Sequence, residues 1–365
     1  MNIGLTYNLF IDKTLSDEEP PPCSGEYDSP KTILAIENAF KALGHTVVLI
    51  EADEHAYMNL YKFRDKLDFV FNIAEGIPGE SRESQIPIML EMLGIPYTGC
   101  GPLSAAITLN KALAKKVLIG CNIPTAPYQI FHSADEPIDS SLSFPLILKP
   151  NCEGSSIGVE KDSVCKDEIS FRRKLKDLFE KYKQEILVEK FLSGREFTVS
   201  LLGNGEDLRV LPIMEIAYDN FPKMDFYIDC YEAKSIWCEK NGLQEAIVAE
   251  DKITPDLKSR LSKIAIDAFT ALGLRDFGRI DLRMDEKDNI YVLEANPLPG
   301  LNPDPSHFSY FQTSARAAGL SYNQIIESIL NAAIKRYNSN RLSAAAVCDK
   351  KIIKDETPVI SRKKV

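Results

Sequence analysis

Histidine is scarce in this chain of 365 residues, and none of its eight cysteines forms a C-x-x-C pair. The four histidines include no H-E-x-x-H motif, so the sequence does not favour a zinc site. A G-x-S-x-G motif and a Cys–His signature are also missing, which argues against a serine or cysteine hydrolase. The cysteine spacings fit no disulfide framework, and we expect free thiols.

Long apolar runs and an excess of basic residues are missing as well. No stretch of about 18 apolar residues occurs, and the first residues do not have the pattern of a signal peptide. Acidic residues outnumber basic ones by 53 to 43, for a net charge of −10. Because an acidic chain repels phosphate backbones and anionic membranes, we expect small-molecule partners and neither a nucleic acid nor a membrane. The lack of a signal peptide and of a long apolar run predicts a cytoplasmic location.

The composition that remains is that of a soluble globular protein, and the length suits two or three domains. Strand patterns alternate with helix patterns over residues 1–103, which predicts an α/β domain with a parallel sheet. The predicted strands are 2–6, 45–50 and 69–73, and the predicted helices are 31–43 and 83–93.

A second unit, of α+β type, is predicted over 104–187, with a helix at 104–119, a strand at 145–149 and a helix at 167–184. A third unit is predicted over 188–340. Its strands are 186–191, 196–202 and 208–216, and a long loop at 217–245, a helix at 255–272 and a last helix at 321–336 follow. Residues 341–365 are charged and without pattern, and we interpret them as a disordered basic tail.

The strongest chemical signal is a strand–turn–strand pattern over 278–296. If Asp285 lies opposite Ile290, Asp281 lies opposite Glu294 and Arg279 opposite Asn296. Two opposed carboxylates repel each other unless a cation lies between them, and carboxylate and amide oxygens are the ligands that Mg²⁺ prefers. The alternative is a solvated polar strand face, on which mixed charges are common.

Two further segments carry weaker signals. Lys149 ends a strand and precedes a glycine-serine loop at 151–158, which could direct N–H groups at phosphate oxygens; an ordinary hairpin turn is the alternative. The stretch 188–196 places charged residues around Phe191 and Leu192, as an adenine pocket requires; its alternative is a strand edge protected by charges.

In this order the three segments resemble the ATP-grasp ligases, most closely the D-alanine–D-alanine ligase family. The resemblance covers about residues 1–335. It also includes Gly79-Glu80, Ile95–Gly99, Asn110-Lys111, Ile123–Thr125, Glu232–Lys234 and Glu294–Gly300. It implies a three-domain ATP-grasp architecture and an ATP-dependent carboxylate–amine ligase that forms an amide through an acyl phosphate. Since members of the family are commonly dimers, it also implies a homodimer.

The resemblance also implies residue roles. ATP would be bound by Lys111, Lys149, Glu153, Ser155, Ser156, Glu189, Lys190, Leu192 and Glu196. Two Mg²⁺ ions, or Mn²⁺ in their place, would be bound by Asp281, Glu294 and Asn296. The catalytic set would be Arg279, Lys234, the Gly300 N–H, Glu26 and Ser155, with Glu26 receiving the ammonium of the first amino acid.

The sequence departs from the family at positions that bind the amino-acid substrates. Glu75 replaces a histidine, Ser235 replaces a tyrosine, and the serine for the second carboxylate falls near Asp304 and Ser306. An inward Asp304 would favour a cationic or uncharged nucleophile. Arg82 and Arg283 are additional basic groups that could bind an acidic substrate.

These departures leave several functions open. The first is D-alanine–D-alanine ligation, and the second is the same reaction on another amino acid or amino-acid-like pair. A nucleotide-binding module without catalysis is a rival, although the three metal ligands argue against it. A carboxylase subunit would need bicarbonate and a biotin carrier, and the chain has no Met-Lys-Met segment of the biotin type.

Overall fold

The structure is a computed structural model that describes residues 1–10, 22–233, 237, 244–304 and 309–351. Within these ranges the chain folds around three sheets, with strand orders β2-β1-β3, β4-β7-β5-β6 and β11-β10-β8-β12-β13. No helix in the described part of the chain is both long enough and apolar enough to span a membrane.

The N-terminal sheet is parallel, as predicted, and β1 lies at its centre. Its elements are β1 (Asn2–Tyr7), α1 (Pro30–Ala42), β2 (Thr46–Glu51), α2 (Ala56–Phe63), β3 (Phe69–Asn72) and α3 (Gln85–Leu93). Helix α1 begins where Ser29 accepts a hydrogen bond from the N–H of Thr32 and Pro30 occupies the first helical position. The sequence analysis missed α2, which has only eight residues.

The central sheet is antiparallel and is covered by one helix. Its elements are β4 (Tyr128–Phe131), β5 (Leu146–Pro150), β6 (Val164–Cys165), α6 (Glu168–Tyr182) and β7 (Ile186–Lys190). Phe131, Leu148 and Phe171 belong to the core between sheet and helix. The predicted domain boundary between 187 and 188 falls inside β7, which pairs with β4 and β5 and so belongs to this sheet.

The C-terminal sheet is antiparallel, and β9 pairs with β8 beside the main path. Its strands are β8 (Glu196–Leu202), β9 (Arg209–Val210), β10 (Met214–Ile216), β11 (Ala246–Val248), β12 (Phe277–Met284) and β13 (Ile290–Asn296). The helices of this part of the chain are α7 (Pro255–Ala271), α8 (Tyr310–Ala317) and α9 (Tyr322–Lys351). The sequence analysis missed α8.

The predicted helix over 104–119 is two helices, α4 (Pro102–Leu109) and α5 (Lys111–Gly120). Asn110 has extended backbone angles, and its side chain accepts a hydrogen bond from the N–H of Leu113, so it caps α5. Ala114 and Leu118 of α5 pack in the core of the C-terminal sheet. This part of the segment 104–187 therefore packs with the third unit rather than with the central sheet.

Helix α9 extends further than the sequence analysis predicted. We expected a helix that ends near 336 and a disordered tail from 341, whereas α9 continues to Lys351. The segment Arg341–Ala346 is rich in strong helix formers, which the tail prediction underestimated. The remainder of the predicted tail, 352–365, lies outside the described residues.

The hairpin β12–β13 has the predicted pairing at its functional end and a different pairing at its turn. Asp281 lies opposite Glu294 and Arg279 opposite Asn296, but Met284 rather than Asp285 pairs with Ile290. A bulge after Asp281 compensates for this shift of one residue.

The bulge also changes the face on which Val292 lies. Strict alternation along β13 would place this side chain with Glu294 on the polar face, but it is fully buried in the core of the C-terminal sheet. Leu293 and Glu294 instead both face a cavity. A strict period of two fails here because the bulge inserts one residue.

Candidate active site

Two adjoining cavities bring most of the predicted site residues together. The inner cavity lies between the central and C-terminal sheets. The outer cavity, about 700 Å³ in volume, extends from the inner one toward the N-terminal domain. Lys111, Glu153, Ile157 and Glu294 line both cavities, which are therefore continuous.

The predicted site residues are divided between the two cavities, and a few of them line both. The inner cavity is lined by Lys111, Lys149, Glu153, Ser156, Glu189, Lys190, Leu192, Glu196, Asp281 and Glu294. The outer cavity is lined by Glu26, Glu75, Lys111, Glu153, Ser155, Arg279, Glu294, Asn296 and Gly300. Lys234, Ser235 and Ser306 lie outside the described residues.

Glu189 lies between two lysines in the inner cavity. Its carboxylate forms ion pairs with Lys115 of α5 and Lys149 of β5, and the side chains of Glu189 and Lys115 are each only 1% exposed. Burial by itself would raise the pKa of Glu189, but the two ammonium groups outweigh burial and lower it. The Lys115 ammonium also donates to the Thr125 hydroxyl at 2.6 Å.

Lys115 is a member of this cluster that the sequence analysis missed. It follows Lys111 by one helical turn, and this spacing on a helix was the available signal. Burial lowers its pKa more than Glu189 raises it, whereas Glu189 and Glu294 hold the pKa of Lys149 above its usual value despite burial. The arrangement keeps Lys149, with a side chain 11% exposed, at the cavity wall as a fixed positive charge.

Glu196 is held by an arginine and a tyrosine. Arg283 donates to the Glu196 carboxylate at 2.7 Å and to the Tyr227 carbonyl at 2.6 Å, and the Tyr218 hydroxyl donates to Glu196 at 2.6 Å. The Arg283 guanidinium also lies 4.8 Å from the centre of the Phe191 ring. Arg283, which we had expected to be available to an acidic substrate, is therefore engaged in positioning Glu196.

Asp281 and Glu294 face each other where the two cavities meet. Arg279 donates to both oxygens of Asp281, at 2.9 and 2.8 Å, and the Thr198 hydroxyl donates to Asp281 at 2.6 Å. Glu294 has a side chain that is 30% exposed, and its carboxylate lies 3.7 Å from the Lys111 ammonium. Arg279 is oriented further by the Tyr310 ring, whose centre is 4.9 Å from the guanidinium carbon.

The oxygen atoms that this hairpin offers as metal ligands suit a hard divalent cation. Two carboxylates and the Asn296 amide are oxygen ligands of the kind that Mg²⁺ prefers. In the described ranges no group of three or more His, Cys, Asp or Glu side chains could hold a metal. The hairpin can therefore supply only part of a coordination sphere, as in sites that Mg²⁺ shares with substrate phosphates.

Residues of the glycine-serine loop line both cavities, and the loop has a constrained conformation. Ser155 and Ser156 have φ angles of 47° and 58°, which are uncommon for residues other than glycine. The Ser156 hydroxyl donates to the Asp229 carbonyl at 2.8 Å. A Cβ atom at Gly154 would lie 1.8 Å from a Glu26 carboxylate oxygen, so only glycine allows this approach.

Glu26 lines the outer cavity, as the resemblance implied, and its carboxylate is paired with an arginine. The Arg82 guanidinium donates to its carboxylate at 2.5 Å and to the Cys152 carbonyl at 2.9 Å. The side chain of Arg82 is 4% exposed, and burial lowers its pKa less than Glu26 and Glu83 raise it. Arg82 thus neutralises the charge of Glu26. It does not line the outer cavity, where it had been expected to bind an acidic substrate.

The remaining specificity predictions differ in outcome. Glu75 lines the outer cavity. Asp304 forms an ion pair with Lys31 and does not line that cavity, so it does not have the inward orientation that would favour a cationic or uncharged nucleophile. Glu83, which also lines the cavity, was missed because none of the motifs in the sequence includes it.

Five of the eight cysteines are unpaired in the described residues, namely Cys100, Cys121, Cys152, Cys165 and Cys230. This agrees with the expectation of free thiols for these five positions. Cys152, in the glycine-serine loop, has its pKa raised to about 11 by burial. It is therefore a thiol, and not a thiolate nucleophile, at neutral pH.

Comparison with known proteins gives a consistent result. A family model described as "D-ala D-ala ligase C-terminus" matches residues 117–331, more than half of the chain. The uncharacterized protein y4sG of Sinorhizobium fredii is 35% identical, over 83% of this chain and 87% of that protein. A D-alanine–D-alanine ligase of Geotalea uraniireducens is 34% identical, over 84% of this chain and 90% of its own.

Among solved structures, a D-alanine–D-alanine ligase of Bacillus anthracis complexed with ATP matches with a TM-score of 0.68. The match covers 93% of this chain and 99% of that one at 23% sequence identity. At this identity the likeness shows the fold, and it confirms the predicted α/β and α+β class with an ATP-grasp architecture.

Proposed function

Because the chain belongs to the D-alanine–D-alanine ligase family of ATP-dependent ligases, we propose that it joins a carboxylic acid to an amine through an acyl phosphate. The observation that carries this proposal is the junction of the cavities. There a facing carboxylate pair, Asp281 and Glu294, lies beside Lys111 and Arg279. Such a junction suits the transfer of a phosphoryl group from a nucleotide in the inner cavity to an acid in the outer one.

In the first step the carboxylate of the acid attacks the γ-phosphorus of ATP, which gives an acyl phosphate and ADP. Phosphoryl transfer depends mostly on positioning and on neutralising the charge spread over the phosphate oxygens. Lys111 and Lys149 supply fixed positive charge at the inner cavity, and the N–H groups and hydroxyls of residues 153–156 can close over the phosphates. Glu189, Lys190, Leu192 and Glu196 would hold the adenosine end.

We also propose that the β12–β13 hairpin binds divalent cations. Asp281, Glu294 and Asn296 would hold Mg²⁺, or Mn²⁺, which supplies charge neutralisation at the phosphate oxygens. The Arg279–Asp281 pair and the Thr198 hydroxyl fix the orientation of one of these ligands.

In the second step the amine attacks the acyl carbon, phosphate leaves, and the amine nitrogen loses a proton. The tetrahedral intermediate carries an oxyanion that needs donors fixed in advance. Arg279 directs Nε and one terminal nitrogen to Asp281, and its other terminal nitrogen makes no hydrogen bond within the described residues. This nitrogen and the Gly300 N–H, both at the outer cavity, are the proposed oxyanion donors.

The experiment that tests the proposal is release of ADP and phosphate from ATP and Mg²⁺. D-alanine is supplied alone first, and then a panel of paired amino acids and diamines is supplied, with products identified by mass spectrometry. Release with formation of an amide is expected. Binding of ATP without ADP release in every mixture would contradict catalysis and favour a nucleotide-binding module.

D-alanine–D-alanine synthesis itself is one form of the proposal, and ligation of a different amino-acid-like pair is the other. The pairing of Glu26 with Arg82 and the presence of Glu75 at the outer cavity favour the second form. A cytoplasmic location and a homodimer remain predictions from the sequence and the resemblance.

A further inference from the structure

The wall of the outer cavity is strongly acidic. Among the described residues, two cationic side chains line it, Lys111 and Arg279, against seven carboxyl groups. The carboxyl groups are those of Glu26, Asp28, Glu75, Glu83, Glu153, Glu245 and Glu294. An excess of one charge in a cavity favours ligands of the opposite charge.

Most of these carboxyl groups already have partners. Arg82 pairs with Glu26 at 2.5 Å and lies 3.8 Å from Glu153. Glu294 lies 3.7 Å from Lys111, and Glu245 accepts a hydrogen bond from Tyr310. The two lining cations are likewise in use, because Arg279 pairs with Asp281.

Glu75, Glu83 and Asp28 form neither an ion pair nor a side-chain hydrogen bond with the described residues. Of the three, Glu83 is the most buried, at 7% exposed, and one of its carboxyl oxygens is buried without a hydrogen bond. Burial, followed by the charge of Glu26, raises the pKa of Glu83 to about 8. The same causes, with Glu83 in addition, raise the pKa of Glu75 well above its usual value. A buried carboxyl group without a partner is unfavourable and therefore calls for an explanation by a ligand.

The loop that carries both groups is built in a fixed conformation. Gly76 has a φ angle of 82°, and a Cβ atom there would lie 2.2 Å from the Arg82 carbonyl oxygen. The Gly76 N–H donates to the Asn8 side chain at 2.8 Å, and the Gln85 side chain bonds both the N–H and the carbonyl of Ile77 at 2.9 Å. These bonds bring the two ends of the segment 75–83 together at the cavity.

The metal proposed for the hairpin is completed by the Asn296 amide and by substrate phosphates, and Glu75 and Glu83 have no such additional ligand within the described ranges, so we do not assign them a metal ion. Organic cations need fewer charged ligands, because an ammonium or guanidinium group is satisfied by two or three hydrogen bonds in addition to its charge.

On the basis of the proposed function, we propose that one of the two substrates carries a positively charged group besides the groups that react, an ammonium or a guanidinium, and that Glu75 and Glu83 bind it. The substrate class is therefore a basic amino acid or a related diamine. A cation near the pair favours the ionised carboxylates, so its binding is coupled to release of protons from the cavity.

The test compares cationic compounds with neutral compounds of the same shape. The pairs are arginine with citrulline and lysine with norleucine, in both enantiomers, and agmatine with (4-aminobutyl)urea, which keeps the amine and replaces only the guanidinium. Binding is measured by calorimetry with ATP and Mg²⁺ present, in two buffers of different ionisation enthalpy, and turnover is measured by ADP release. We expect at least one cationic compound to bind at least tenfold more tightly than its neutral counterpart, with release of protons.

Variants locate the effect. Glu75→Gln and Glu83→Gln should each reduce the preference for the cationic compound at least tenfold and leave the KM for ATP within twofold. Glu54→Gln is the matched control, because Glu54 is an exposed carboxylate of the same domain away from the cavity, and it should leave the preference unchanged. Thermal melts establish that each variant is folded.

The outcomes separate this inference from the proposed function. ADP release with equal or better use of the neutral compounds would overturn the inference and leave the ligase function in place. A cation preference that survives in both Gln variants would overturn the assignment to Glu75 and Glu83. If no cationic compound binds more tightly than its counterpart, the inference is wrong, and absence of ADP release in every mixture would contradict the ligase function itself.

Discussion

The inner and outer cavities share four lining residues but differ in whether their buried carboxyl groups have ion-pair partners. In the inner cavity Glu189 has two lysine partners, and Glu196 has Arg283. In the outer cavity Glu75 and Glu83, like Asp28, form no ion pair in the described part of the chain, and one oxygen of Glu83 is buried without a hydrogen bond. The inner site is thus electrostatically complete before a ligand binds, whereas the outer site is completed by its ligand.

This difference indicates how the two sites divide their tasks. A nucleotide is common to the family, and a pre-organised set of charges binds it without reorganisation. Specificity for the acid and the amine arises instead from polar groups that only the right ligand can satisfy.

Removing the carboxylate of the inner cluster should have the largest effect. Glu189→Gln would leave Lys115 and Lys149 buried without a counter-charge, and loss of one partner of a buried ion pair costs about 3–5 kcal/mol of unfolding free energy. Thermal or urea unfolding measures this loss. The double variant Glu189→Gln/Lys115→Met removes one of the lysine charges as well and should recover part of the stability. If Glu189→Gln is as stable as the parent, the charges of the cluster are not balanced by Glu189.

The carboxylate at the junction should matter for turnover and little for folding. Glu294→Ala removes a side chain that is 30% exposed, so we expect at least a ~100-fold loss of kcat and a change in melting temperature of only a few degrees. Asp281→Ala should reduce kcat similarly but also lower the melting temperature, because it leaves the buried Arg279 unpaired. Equal loss of stability in both variants would assign the pair a structural role.

Weakening the anchor of Glu196 should raise the KM for ATP. Arg283→Lys removes the forked guanidinium that donates to Glu196 and to the Tyr227 carbonyl, and one charge-assisted hydrogen bond corresponds to about tenfold in affinity. Steady-state kinetics with varied ATP measures the change. Arg195→Lys is the control, since Arg195 pairs with Glu215 with 40% of its side chain exposed and should change KM by less than twofold.

Neutralising a carboxyl group in the outer cavity should have the smallest effect and the opposite sign. The pKa of Glu83 is about 8 in the folded protein and 4.5 in the reference state, so the folded protein holds the proton more tightly than the unfolded chain. The contribution of Glu83 to the free energy of unfolding is therefore fully present below pH ~4.5 and is lost as the pH rises toward ~8.

Glu83→Gln removes this dependence. We expect the variant to melt at the same temperature as the parent at pH 5 and a few degrees higher at pH 8, as measured by differential scanning calorimetry. Lower stability at pH 8 would mean that the Glu83 carboxylate has a stabilising partner, and the contrast between the two cavities would fail.

Fold and site could be predicted to different degrees from the sequence. The parallel N-terminal sheet and the facing of Asp281 and Glu294 depend on patterns within a few residues, so they were predictable. The break at Asn110 and the bulge after Asp281 were not, because the packing of α5 and of Val292 in the C-terminal core decides them. A period of two or of 3.6 describes a regular element and carries no signal for its interruption.

The family, the reaction class and the residue types at the site could be inferred from the sequence, because each is encoded in short segments in a fixed order. Which charged side chains meet could not be inferred, because it depends on packing between distant parts of the chain. The tertiary structure placed Arg82 on Glu26 across 56 residues of chain, Arg283 on Glu196 across 87, and Lys115 against Glu189. Ion pairs of this kind depend on burial and on distances of a few ångströms, since an exposed charge is screened and a buried one must be compensated.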